Sequence, residues 1–170
     1  MQKPKFFIPI LQWLSAHGRI SRLQYFVYGL IMAATFFAFA LVLALNGFMN
    51  MDEDGHITSL NDFWTYGLLQ FCLFYILFCL ASKRLHDLNW PAWLAVLLIF
   101  DIPVDLAADL ARMYLTLPEM FETIVKGVDL LAKLATLGLG ISLTFRPGDK
   151  GQNKYGPDPL KAPTPPVEVF

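Results

Sequence analysis

The chain has 170 residues, 56% of them hydrophobic and only 16% charged, against roughly 45–50% and about 25% for soluble domains. That balance excludes an ordinary water-soluble domain. A formal net charge of −1 leaves no basic excess to attract nucleic acid, so the position of each charge carries the information.

Lys3 and Lys5 precede an apolar run over residues 6–14 that imitates a secretory signal. The run is short, contains Pro9, and is followed by no small-residue cleavage site. Phe6, Phe7, Ile10, Leu11 and Leu14 recur at helical spacing, which predicts an amphipathic helix lying on the membrane.

Residues 25–48 are almost free of charge and exceed the ~20 helical residues that cross a hydrocarbon core. They form the first predicted span. Residues 63–81 form the second, entered through Trp64 and Tyr66, aromatics that favour the headgroup level. The link between them holds Asp52, Glu53, Asp54, His56 and Asp62 but no lysine or arginine. Cys72 and Cys79 lie seven residues apart in the second span, beyond the reach of a mutual disulfide, and read as buried packing residues.

Lys3, Lys5, Arg19 and Arg22 precede the first span, Lys83 and Arg84 follow the second, and Arg146, Lys150, Lys154 and Lys161 lie in the tail. Positive charge marks the cytoplasmic side, so both termini are expected there and the number of crossings is even. The third and fourth spans are expected over 90–110 and 126–145. Their uncharged parts, 90–102 and 130–145, fall short of a bilayer at 1.5 Å per residue, so each must extend into polar turns. Asp101, Asp105 and Asp109 lie in one set of turns, Lys126, Asp129 and Lys133 in the other. Counted from the cytoplasmic ends, Asp101 matches Lys133 in depth and Asp109 matches Lys126. A competing reading breaks the third segment at Ile102-Pro103, because a residue before proline avoids helical geometry, and lays the following stretch on the far face. The sum is an all-α polytopic fold in one membrane domain, residues 1–160, with a Pro-rich disordered tail over 161–170.

Three motifs on the inferred cytoplasmic face add a resemblance: Gly18-Arg19-Ile20-Ser21-Arg22-Leu23-Gln24-Tyr25, Arg84-Leu85-His86-Asp87 with Trp93 six residues later, and Gly151-Gln152-Asn153-Lys154-Tyr155-Gly156-Pro157-Asp158-Pro159. In kind and order they resemble the YhaH-like bacterial inner-membrane family, domain of unknown function 805. The resemblance implies a multi-pass inner-membrane location and a cytoplasmic C-terminus, and no established activity. The chain departs from that family in the long polar-studded link after Ile102-Pro103.

Two constellations can carry function. The first is the cytoplasmic platform of Arg19, Arg22, Tyr25, Lys83, Arg84, His86, Asp87, Trp93, Asn153 and Tyr155, together with Lys150 and Lys154. Arginine forks bind phosphate, and juxtamembrane bases attract anionic lipid, so a phospholipid headgroup or a protein partner is expected there. The competing reading is that these bases only set orientation and hold loops. The second is the ladder of Asp101, Asp105, Asp109, Lys126, Asp129 and Lys133, either static interhelical pairs or a proton or cation site. Carboxylates at 101, 105 and 109 share a helical face and could hold Mg²⁺, but the remainder of a phosphatidyltransferase signature is missing. No catalytic triad or zinc spacing occurs. The expected function is a non-enzymatic component, without cofactor or metal, that binds anionic lipid or a partner through the platform. The alternative is a small homo-oligomeric transporter or channel using the ladder.

Overall fold

The computed structural model describes residues 9–48, 57, 59–116 and 118–161. They build α1 (Ile10–Trp13), α2 (Arg22–Leu45), α3 (Leu60–Asp87), a 3-10 segment (Ala92–Leu98), α4 (Asp101–Tyr114) and α5 (Glu119–Phe145). Helices α2, α3 and α5, with 24, 28 and 27 residues, are long and apolar enough to cross a membrane. At 1.5 Å per residue each rises roughly 36–42 Å, more than the ~30 Å hydrocarbon core. Only 6, 17 and 11% of their most apolar stretches is buried inside the molecule. Side chains such as Phe37 and Phe71 face outward, an arrangement that needs lipid as its solvent. The chain is an all-helical membrane protein.

Helix boundaries follow local chemistry. Ser21 opens α2 with a reciprocal capping box: its hydroxyl accepts from the Gln24 amide and the Gln24 side chain accepts from the Ser21 amide. Ser59 caps α3 through the Asp62 amide. The end of α3 is a Schellman motif, in which Asn89 takes a positive φ of 60° and Trp90 N–H reaches back to the Leu85 carbonyl at 2.8 Å. Glu119 and Glu122 occupy the first turn of α5, where the helix dipole favours negative charge.

The predicted third span, 90–110, is not one helix. It divides into the 3-10 segment and α4, with the break at Ile99 and Phe100. Pro103 does not break the chain; it falls in the first turn of α4, where the missing N–H has no intrahelical acceptor to lose. Among the described residues three helices are therefore long and apolar enough to span. The two pieces still carry the chain from the end of α3 to the start of α5. Leu106 of α4 lies beside Gly67 of α3, and the Thr136 hydroxyl of α5 donates to the Leu97 carbonyl.

Packing concentrates at one end. Ala81, Leu85 and Leu88 meet Ala95, Leu98 and Leu143 in the main apolar cluster, and Ile20, Tyr28 and Leu80 form a second beside it. Cys79 is buried there, but Cys72, two turns away toward the loosely packed end of α3, is exposed. This corrects the expectation that both are core residues. The predicted N-terminal amphipathic helix lies mostly outside the described residues. Its described part is the single turn α1, whose Trp13 packs on Tyr28 with ring centroids 4.8 Å apart. The acidic stretch 52–56 and the tail beyond 161 also lie outside them.

Candidate functional site: a polar clasp at three helix ends

The start of α2 and the ends of α3 and α5 converge, and there the three sequence motifs interlock. Asp87, on the last turn of α3, holds two guanidinium groups. Arg19 donates to its Oδ1 through Nε at 3.1 Å and Nη2 at 2.9 Å, while Arg84 donates to Oδ2 from one turn earlier. All three side chains are at most 4% exposed. Arg19 spends its remaining donors on carbonyls of the 149–156 loop: those of Gly151 at 2.6 Å, Gly156 at 3.2 Å and Asp149. Its five N–H groups are thereby filled. Arg84 uses Nε on the Leu143 carbonyl at 2.7 Å and Nη2 on that of Arg146. It thus caps the negative end of α5 with a cation borne by α3.

The loop answers with its own bonds. Asp149 N–H meets the Asp87 carbonyl at 2.8 Å, and Asn153 Nδ2 donates to the His86 carbonyl at 2.9 Å. The Tyr155 ring stacks on His86, with centroids 3.8 Å apart and planes 13° from parallel. His86 Nδ1 lies 3.2 Å from the Gly18 carbonyl, so this nitrogen carries the proton. Asp158 accepts from the Gly151 and Leu160 amides, and these bonds hold its carboxyl below the usual aspartate value. Gly148 is required by contact, since a Cβ there would sit 1.9 Å from Asp87 Oδ2. Lys83 donates to the Gln12 carbonyl, tying α1 to α3.

Of the predicted platform, Arg19, Arg84, His86, Asp87, Asn153 and Tyr155 come together in the clasp, while Lys83 turns to the Gln12 carbonyl beside it. Tyr25 packs between the two apolar clusters. Trp93 does not join; it stands 64% exposed on the 3-10 segment. Arg22, Lys150 and Lys154 remain at the exposed rim. Arg22 and Lys150 border a cleft of about 360 Å³ whose lining includes Ser21, Gly148, Asp149 and Asp158.

The ladder runs along the first nine residues of α4 and residues 126–133 of α5. Arg112, which the sequence reading had passed over, organises it. It grips Glu122 with Nε at 3.0 Å and Nη2 at 2.8 Å, and gives Nη1 to Asp109 at 2.8 Å. Its place three residues after Asp109 was the available signal. Counting in opposite directions from Arg112 and Glu122 brings Asp105 level with Asp129, and position 101 level with Lys133. The Asp101 side chain lies outside the described set. Lys133 donates to Asp129 Oδ2 at 2.6 Å on its own helix, Asp129 Oδ1 is enclosed without a hydrogen bond, and Lys126 and Asp105 are exposed. Among the described residues no three metal-ligating side chains gather. An apolar cavity of about 380 Å³, lined by Phe74, Phe78, Ile99, Pro103 and Leu106, opens beside the break.

A helical membrane protein whose helix ends are tied by three interlocking motifs is the class that fold and site define. The profile of a family described as protein of unknown function (DUF805) matches residues 13–157, from the Trp13 contact to the end of the clasp loop. The chain belongs to that family. No curated protein and no solved structure matches it.

Proposed function

We propose that the protein is a multi-pass component of the bacterial inner membrane, non-enzymatic, with the clasp and both termini on the cytoplasmic side. There it engages the phosphate of anionic phospholipid. The distribution of basic residues supports the orientation. Because Arg19 is saturated and Arg84 caps α5, binding falls to the rim, where Arg22 in the first turn of α2 and Lys150 on the loop flank one cleft. That pair of exposed cations beside one cleft is the observation that carries the reading. The test is native mass spectrometry of protein released from nanodiscs that contain phosphatidylglycerol. Wild type should retain the lipid, and Arg22→Gln with Lys150→Gln should lose it at unchanged Tm; equal retention by both would refute the reading.

A second reading, a small homo-oligomeric transporter or channel, is favoured by one observation: charged groups occur at the middle of α5, where a passive span would be apolar.

A further inference from the structure

We infer that the two cavities flanking Gln70 hold the chains of one diacylglycerol, a neutral lipid whose hydroxyl the Gln70 carboxamide engages. Gln70 lies ten residues from Leu60 and seventeen from Asp87, the two ends of α3. Those intervals put it ~15 and ~26 Å from the ends and ~5 Å from the middle of the helix. That depth is inside the ~30 Å hydrocarbon core. A polar side chain there is costly unless it is hydrogen-bonded, because lipid offers no water to replace a missing partner. Gln70 donates from Nε2 to the Tyr66 hydroxyl, one turn earlier on the same helix. A carboxamide has two donors and an acceptor oxygen, so this bond leaves an N–H and the carbonyl oxygen for another molecule.

Gln70 stands where two cavities meet. One, of about 380 Å³, lies against Phe71 and Phe78 of α3 and against Ile99 and Leu106 on either side of the break. The other, of about 420 Å³, lies between Gly29 and Ala33 of α2 and Leu73 and Leu77 of α3. Gln70, Phe74 and Ile102 border both. Phe71 on one wall and Ala33 on the other are exposed, so both cavities open sideways to lipid. Besides Gln70, the hydrogen-bonding side chains on the walls are Tyr66 and Tyr75, and the Tyr75 hydroxyl donates to the Leu14 carbonyl. Among the described residues neither wall carries a charge. Three features select the occupant. Two apolar lobes that share one polar residue fit two chains joined at a short polar backbone, and a single-chain alcohol would fill only one of them. A phosphate would find no cation beside Gln70 and would be left unpaired in hydrocarbon. A hydroxyl both donates and accepts, so it satisfies the N–H and the carbonyl oxygen of Gln70 together. The site lies at mid-membrane and is independent of the phosphate site proposed at the rim of the clasp.

The experiment loads the full chain in nanodiscs with dioleoylglycerol, with its O-methyl ether or with oleyl alcohol, and reads the retained lipid by native mass spectrometry. Wild type should retain dioleoylglycerol at one per chain. The ether cannot donate and oleyl alcohol fills one lobe, so each should be retained at least about tenfold less. Gln70→Leu should lose dioleoylglycerol by the same factor while its Tm holds or rises, since leucine suits hydrocarbon better than a carboxamide. Ala33→Phe, which fills the second cavity, should lose it with Gln70 intact. Equal retention of dioleoylglycerol by wild type and Gln70→Leu, or of dioleoylglycerol and its ether by wild type, would overturn the inference. So would no retention by wild type, whether as a monomer or as a dimer whose second copy closes the groove.

Discussion

Replacing Asp87 by asparagine keeps the shape of the side chain at the centre of the clasp and removes its charge. Arg19 takes one carboxylate oxygen and Arg84 the other, so whichever way an amide is turned, one guanidinium faces an NH2 group instead of an acceptor. Both guanidinium groups are at most 1% exposed, and water cannot substitute. Removing one partner of a buried ion pair costs about 3–5 kcal/mol. With about 2–4 °C of Tm per kcal/mol for a chain of this size, the Tm should fall by about 6–20 °C. Thermal unfolding in a fixed detergent or nanodisc, with Asp149→Asn as an exposed control on the loop docked against Asp87, measures this. A double-mutant cycle with Arg19→Gln should show coupling above about 1 kcal/mol. A Tm loss no larger than that of the control, or additive effects in the cycle, would refute the reasoning.

Gly148→Ala should lower Tm by several degrees, because its methyl would collide with Asp87 and either the loop or the ion pair must shift. Gly29→Ala, where a Cβ meets nothing within 4 Å, should not lower it; parallel melts of the two variants check this. The low carboxyl of Asp158 gives a pH dependence of known sign. A group whose folded pKa lies below its unfolded value contributes stability above the unfolded value and loses it as pH falls through the folded one. The 147–160 loop should therefore loosen below the ordinary aspartate value of 3.8, seen as faster proteolysis by an acid-active protease. Asp158→Asn should give a loop already loosened at pH 7 and insensitive to that step.

The spans were legible where composition alone decides. The three long apolar helices lie over the expected runs: α2 keeps the expected length and starts three residues earlier at its cap, whereas α3 and α5 run nine and seven residues longer, into flanking polar turns. Ser21 with Gln24 three residues on was a readable capping box. Juxtaposition of the three motifs at one end followed from charge placement. Their use did not. Arg19 and Arg84 carry the sequence pattern of a phosphate site, but their acceptors are mostly main-chain carbonyls of Leu143, Arg146, Asp149, Gly151 and Gly156, and no residue letter reveals a carbonyl's direction. The division of the third segment was legible only in part, for a related reason. Proline 103 drew attention as a breaker, yet a proline in a first helical turn is harmless, and the break came two residues before that helix began.

Docking of the loop 147–158 against the ends of α3 and α5 by the motif side chains is what makes the three motifs one site. Hydrogen–deuterium exchange of the protein in nanodiscs, resolved to peptides covering that loop, tests it most directly. Slow exchange at the Asp149 and Gly151 amides in wild type, lost in Arg19→Gln while the amides at the middle of α3 stay protected, is the predicted result. Exchange of those two amides in wild type at the rate of an unstructured chain would contradict it.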